Sequence, residues 1–223
     1  MSVSIHPATL ENSAAIADLL RIVWPSEKAA PAQVASVLEN PQHVVRVAHS
    51  DNQIVGLVSG FPTKTQAGEP RWEVDLLAVH PVSRRQGIAK ELIQRCTNDG
   101  REAGTILARA LVETTNTASQ HAFAAAGYAM QLETYTGYVS HTGLLAHSPA
   151  RPHSLHLIPV RTLVYTGAWI EGTLTDIGLQ WARCLQAERG WERLGTLVTS
   201  DLHSAGFEPV GTFAWWIREY SPG

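Results

Sequence analysis

The chain has 223 residues, enough for one full domain with an appendage or for two small ones, and 17 Lys and Arg against 20 Asp and Glu give a net charge of −3. Without a long run of one sign, this balance speaks against a nucleic-acid binder or a polybasic membrane anchor, and only two cysteines, Cys96 and Cys184, exclude a disulfide scaffold and a cysteine-built zinc site. The opening MSVSIHPATLENSAA lacks a basic region followed by an apolar run, and no later stretch reaches about 18 apolar residues in a row, so a cytoplasmic protein without a membrane segment is expected.

Val3 to Ile5 can form a first strand, after which Asn12 or Ser13 caps a helix with Ile16, Leu19, Leu20 and Val23 on one stripe, ended by Pro25. A second helix is expected over Pro31 to Leu38. His43 to Ala48 and Ile54 to Ser59 are β-branched runs separated by Asp51-Asn52, a hairpin signal, and Trp72 to Val79 is a further strand. His80-Pro81 stops that strand. After the turn VSRRQG, the spacing of Ile88, Leu92, Ile93 and Cys96 predicts a helix reaching Gly100 or Gly104. Thr105 to Val112 reads as a strand, Thr117 to Ala126 as a short helix closed by Gly127 in the left-handed position, and Tyr128 to Val139 as extended chain.

Residues 141–156, HTGLLAHSPARPHSLH, carry prolines and four histidines without periodicity, so the chain divides there into 1–140, a linker, and 157–223. Those histidines (His141, His147, His153 and His156) have irregular spacing and no accompanying carboxylate or cysteine, so no metal site is expected. The second piece has strand character over Leu155 to Trp169, a helix near Asp176 to Arg189, a run Leu194 to Val198 and a last strand near Thr212 to Ile217. Ala126-Gly127-Tyr128 through Val139 resembles Ala205-Gly206-Phe207 through Ile217, which hints at a degenerate internal repeat. The fold class expected is α/β (α+β), with the C-terminal segment a half-copy of what precedes it.

The chemistry concentrates in Asp75 to Leu92, DLLAVHPVSRRQGIAKEL. A strand runs into a turn holding Arg84, Arg85, Gln86 and Gly87, which opens a helix whose first N–H groups have no intrahelical acceptor. Such an end binds phosphate, and the two arginines add charge-assisted donors. No Gly-Lys-Ser/Thr follows and the pattern is not GxGxxG, so a diphosphate on a longer cofactor fits better than a nucleoside triphosphate.

Here the sequence resembles the GCN5-related N-acetyltransferase (GNAT) family. That family's pyrophosphate loop has the form Q/R-x-x-G-x-G/A, matched by Arg84-Arg85-Gln86-Gly87-Ile88-Ala89. A second match begins at Asn116, where N-x-x-S-x-x-A-F-x-x-x-G-Y runs through Phe123 to Tyr128 with the family's spacing. The resemblance covers roughly residues 1 to 140. It implies a mixed sheet whose fourth and fifth strands splay apart around acetyl-coenzyme A. By that resemblance the backbone of Leu77, Ala78 and Val79 would meet the pantetheine, and the amides of Arg85, Gln86, Gly87, Ile88, Ala89 and Lys90, with Arg84, would hold the pyrophosphate. Asn116 and Phe123 would adjoin the cofactor's arm.

The activity implied is transfer of an acetyl group to a primary amine, most simply on a small molecule, with a lysine or α-amino group of a protein, or a non-catalytic acyl-coenzyme A sensor, as alternatives. Deprotonating the amine requires a base. Glu73 stands where histone-acetylating relatives place a glutamate, Asp75 alternates onto the same strand face, and Glu113 and His80 are substitutes. Phe123 replaces the family's frequent tyrosine and cannot protonate the leaving thiolate; water, Ser119, Tyr135 or Tyr138 remain for that role. The second half carries no such loop, since Thr175, Asp176, Ile177 and Gly178 stand there, so one cofactor site per chain follows. The C-terminal piece would cover the cleft and supply pocket residues, or form a homodimer interface. Trp169, Trp181, Trp191, Trp215 and Trp216 read as core or interface residues, and one of them in the acceptor groove would make the substrate apolar or aromatic.

Overall fold

A computed structural model describes residues 3–27, 29–146, 149–152, 154–202 and 206–220. Strand β1 (Ser4–Pro7) leads through a single 3-10 turn into α1 (Ser13–Val23). Asn12 accepts the Thr9 N–H at the start of that turn rather than capping α1 itself. Ile16, Leu19 and Leu20 of the expected stripe are buried, and α2 (Pro31–Leu38) begins on proline, whose missing N–H costs nothing at a helix start.

The hairpin of β2 (Val44–Ser50) and β3 (Gln53–Lys64) turns on Asp51 and Asn52, whose φ values of 48° and 64° are those of a left-handed two-residue turn. β4 (Pro70–Val79), α3 (Ile88–Glu102), β5 (Leu107–Glu113), α4 (Thr117–Ala125) and β6 (Ala129–Ser140) follow in the expected order. The second piece comprises β7 (Leu155–Arg161), β8 (Thr166–Gly172), α5 (Asp176–Arg189), β9 (Arg193–Val198) and β10 (Glu208–Glu219). The extended run from Leu155 is thus a hairpin, bent at 162–165.

All ten strands form one mixed sheet in the order β1-β2-β3-β4-β5-β10-β6-β9-β8-β7. The last strand of the chain lies between two strands of the first half, antiparallel to both β5 and β6, while β6 goes on to pair with β9. Each half therefore lends its final strand to the other. Within each half a hairpin (β3–β4 or β7–β8) is followed by a helix and a parallel strand (β5 or β9). The repeat extends to detail: Gly127 and Gly206 have φ of 87° and 85°, and the aromatic after each, Tyr128 or Phe207, is buried.

Three clusters of buried side chains result. One lies between the sheet and α3, around Trp72, Leu92 and Cys96; one beneath α1 and α2; and one against α5, around Leu179 and Leu194. The second includes Leu163 from the β7–β8 turn, which is fully buried among Ile16, Leu57 and Ala78, and Gln33 on α2 donates to the Thr162 carbonyl at 2.7 Å. The C-terminal half is thereby plugged into the N-terminal core.

Candidate active site

β4 and β5 pair at two positions only, Trp72 with Ala108 and Glu73 with Arg109. The reason is a β-bulge. Between the partners Val58–Leu77 and Gly60–Val74, the single residue Ser59 faces both Asp75 and Leu76, which bends β4 away from β5. Beyond the bulge Leu77, Ala78 and Val79 keep their ladder to β3, and their opposite edge faces no strand. That edge is a wall of a V whose other wall is β5.

At the mouth of the V stands the turn after β4. Arg84 folds back, its Nε donating to the Val79 carbonyl at 3.3 Å, and Arg85 and Gly87 both take positive φ, 61° and 79°. Gly87 is the helix N-cap and lends α3 no side-chain cap, so the first amides of α3 lack a side-chain partner there. Gln86 and Lys90 are exposed, whereas Ile88, buried in the core, anchors the helix start. The equivalent end of α5 is closed: Thr175 accepts the Gly178 N–H at 3.1 Å and Asp176 adds negative charge. Only α3 of the two keeps the features that suit a pyrophosphate.

Where the V meets the second half, a cavity of about 410 Å3 opens between the halves. Its walls come from matching places in the repeat. The paired row Phe61–Glu73–Arg109 corresponds to Ile158–Trp169–Gly195, Asp75 to Glu171, and Leu111 to Leu197. Gly195 matters because a side chain there would approach the Trp169 ring to 3.0 Å; the indole lies where the first half has an ion pair.

Glu73 is heavily engaged. It accepts from Thr63 Oγ1 at 2.5 Å, Arg71 Nε at 3.1 Å, and Arg109 Nε at 2.9 Å to each carboxylate oxygen. Glu171 accepts from Arg71 Nη2 at 2.6 Å and Arg109 Nη2 at 2.8 Å. Burial alone would raise Glu171, but Arg109 and Arg71 together hold it below the usual carboxylate range. Arg109 further lies 3.9 Å over the Trp215 ring.

Asp75 is in the opposite situation. Its Oδ2 is closed to solvent without a hydrogen-bond partner. Burial, then repulsion from Glu73, push it up to about 7, against a hydrogen bond with Ser59 that pulls it down. Tyr165 from the β7–β8 turn and Cys96 on α3 also feel its charge.

The other residues singled out from sequence fall around this centre. Asn116 caps α4, its Oδ1 accepting the Ser119 N–H at 3.1 Å. Phe123 is buried in the core, edge-on to Tyr128 at 5.1 Å. Neither Glu113 nor His80 lines the cavity; the latter's Nδ1 accepts the Val82 N–H at 3.4 Å. Tyr135 does line it, bonded to Glu133, whose hydrogen bond and charge, together with burial, raise the phenol. Tyr138 is buried, its hydroxyl accepting from Leu202 N at 3.2 Å.

Of the five C-terminal tryptophans, Trp169 and Trp215 line the cavity and Trp216 is core. His147 and His153 lie outside the described residues. Arg71, Arg109 and Glu171 carry no motif that marks them in the sequence, although Glu171 follows Trp169 by the same two-residue step that separates Asp75 from Glu73. No helix among the described residues is long and apolar enough to cross a membrane.

No curated relative matches the sequence. Among solved structures, a tandem GNAT protein from the clavulanic acid biosynthesis pathway is 17% identical with TM-score 0.60 over all of both chains. A GCN5-related N-acetyltransferase from Sphaerobacter thermophilus is 11% identical, TM-score 0.61, with 99% of this chain and 96% of that one covered. The paia N-acetyltransferase of Thermoplasma acidophilum, solved in complex with coenzyme A, is 14% identical, TM-score 0.50, over 59% of this chain and 92% of its own. The model of the acetyltransferase (GNAT) family matches residues 14–128, from α1 through the turn between β4 and α3 to Tyr128. That match spans more than half of the chain, and the chain belongs to the acetyltransferase (GNAT) family.

Proposed function

We propose that this acyltransferase is an acetyl-coenzyme A-dependent N-acetyltransferase of a primary amine on a small molecule, with Asp75 as the base. The observation that carries this reading is Asp75, a buried carboxyl whose Oδ2 has no hydrogen-bond partner, among the residues that line a small-molecule-sized cavity at the point where β4 and β5 part. The turn Arg84 to Lys90 would hold the pyrophosphate, and the free edge of Leu77 to Val79 the pantetheine amides, with Asn116 beside the arm. When bound, acetyl-coenzyme A supplies a thioester-activated acetyl group, and the net reaction yields amide, thiol and one proton.

An amine arrives mostly as ammonium at neutral pH and is not nucleophilic in that form. Asp75, ionised above pH 7, takes that proton; a neutral pair is cheaper than an ion pair in a poorly solvated cavity. Glu73 serves this role poorly, because two guanidinia and a hydroxyl already occupy its oxygens, so its part is to hold Arg109 and the strand junction. Tyr135, whose hydroxyl donates to Glu133, would turn from that carboxylate to hydrogen-bond a leaving thiolate. On this reading 1–140 carries the cofactor-binding and base residues, 141–154 is the linker, since Leu155 and His156 already stand in β7, and the rest is the half-copy that walls the acceptor side. Thiol release from acetyl-coenzyme A with an amine panel tests the proposal: amine-dependent release that rises through pH 7 is expected, and cofactor binding without turnover of any amine would overturn it.

A further inference from the structure

Four of the charges at this cavity satisfy each other. Arg71 and Arg109 each donate to both Glu73 and Glu171, closing a ring of two cations and two anions, and Trp215 covers a face of Arg109. The lining carboxylate outside that ring is Asp75. Much of the remaining wall is ring or hydrocarbon, from Phe61, Tyr135, Trp169, Leu111 and Leu197.

This wall discriminates among amines. One ammonium group can be met by Asp75. A second on the same molecule would be desolvated among leucines and indoles with no anion of its own, because Glu73 and Glu171 are committed to the arginines. Peptide or sugar groups would likewise leave polar atoms against apolar surface. An uncharged hydrocarbon body gains by covering Trp169, which the second half exposes to the cavity where the first half has Glu73.

Resting on the transferase reading above, we infer that the acceptor is a small monoamine with an aromatic or aliphatic body and no second charge, its amino group at Asp75 and its body against Trp169, Leu111 and Leu197.

The test uses the full chain with saturating acetyl-coenzyme A and follows thiol release with 2-phenylethylamine, hexylamine, spermidine, an aminoglycoside and a lysine-containing peptide. In parallel, calorimetry measures 2-phenylethylamine binding to the protein alone. The expected result is a kcat/KM for the monoamines at least tenfold above the other three. Leu197→Trp, which fills the cavity, should lower kcat/KM for 2-phenylethylamine about tenfold or more, a loss of the size that apolar pockets give for small steric misfits. Leu197→Ala should instead favour a bulkier arylalkylamine, and both variants should keep acetyl-coenzyme A affinity. Faster turnover of the polyamine, aminoglycoside or peptide, or no change in preference in either variant, would overturn the inference and leave the transferase reading standing. If no amine turns over, binding decides: 2-phenylethylamine affinity that Leu197→Trp abolishes keeps the monoamine site while sinking the transferase, and absence of binding sinks the inference.

Discussion

Replacing Asp75 by Asn separates two properties that the bulge on β4 ties together. The folded carboxyl titrates near 7 against an ordinary value of 3.8, mainly because burial disfavours its charge. Below about pH 4 the carboxyl is protonated in both folded and unfolded chains and costs nothing. As pH rises toward 7 the unfolded chain gains from ionising and the folded one does not, so stability is lost over that window and stays lost above it. Three pK units correspond to at most about 4 kcal/mol, and partial solvation of the side chain reduces this to about 2 kcal/mol. Asn removes the cost. In thermal melts Asp75→Asn should match the wild type at pH 4 and exceed it by roughly 4–8 °C at pH 8. Activity should move oppositely: kcat/KM for an amine falls about 10²–10⁴-fold, and the limb rising through pH 7 disappears. A variant that is both slower and less stable at pH 8 would indicate a structural role, and wild-type turnover at pH 8 would refute Asp75 as base.

Three further outcomes follow from the geometry. A chain ending at residue 140 loses β10 from between β5 and β6 and Leu163 from the core under α1 and α2, so it should be insoluble or unfolded by circular dichroism; a soluble, active 1–140 would contradict the exchanged-strand arrangement. Glu171→Ala leaves the 7%-exposed Arg71 and its neighbour Arg109 short of an anion, and denaturant unfolding should show a loss of about 1–3 kcal/mol, since Glu171 itself is partly solvated. Tyr135→Phe should lower kcat about tenfold with little change in KM for acetyl-coenzyme A; the effect is small because a thiolate of pKa near 8.5 leaves without much help.

What could be read from the amino-acid sequence was local. Helix stripes, the Asp51-Asn52 turn, Pro31 and the Arg84 to Ala89 loop each declare themselves within a few residues, and the element order of the first half follows from them. The exchange of β6 and β10 could not be read this way, because strand pairing between residues far apart depends on which edges are left open, not on the strand's own composition. The same holds for the site. Asp75 stands out by its step from Glu73, but that Glu73 is occupied and Asp75 left alone depends on Arg71, Arg109 and Glu171 meeting across the two halves. Trp169 reads as core by composition, and becomes cavity wall because Gly195 leaves the indole a place to lie.

A single cofactor site per chain, in the V of the first half, is what the remaining functional roles depend on. Calorimetric titration of the full chain with acetyl-coenzyme A tests it most directly, alongside Gly87→Glu. That variant meets nothing within 4 Å of the new Cβ and so should keep its fold apart from a left-handed strain of about 1–2 kcal/mol, while placing a carboxylate in the phosphate site. One equivalent bound per chain is expected, with no measurable heat in the variant. Two equivalents, or undiminished affinity in Gly87→Glu, would contradict it.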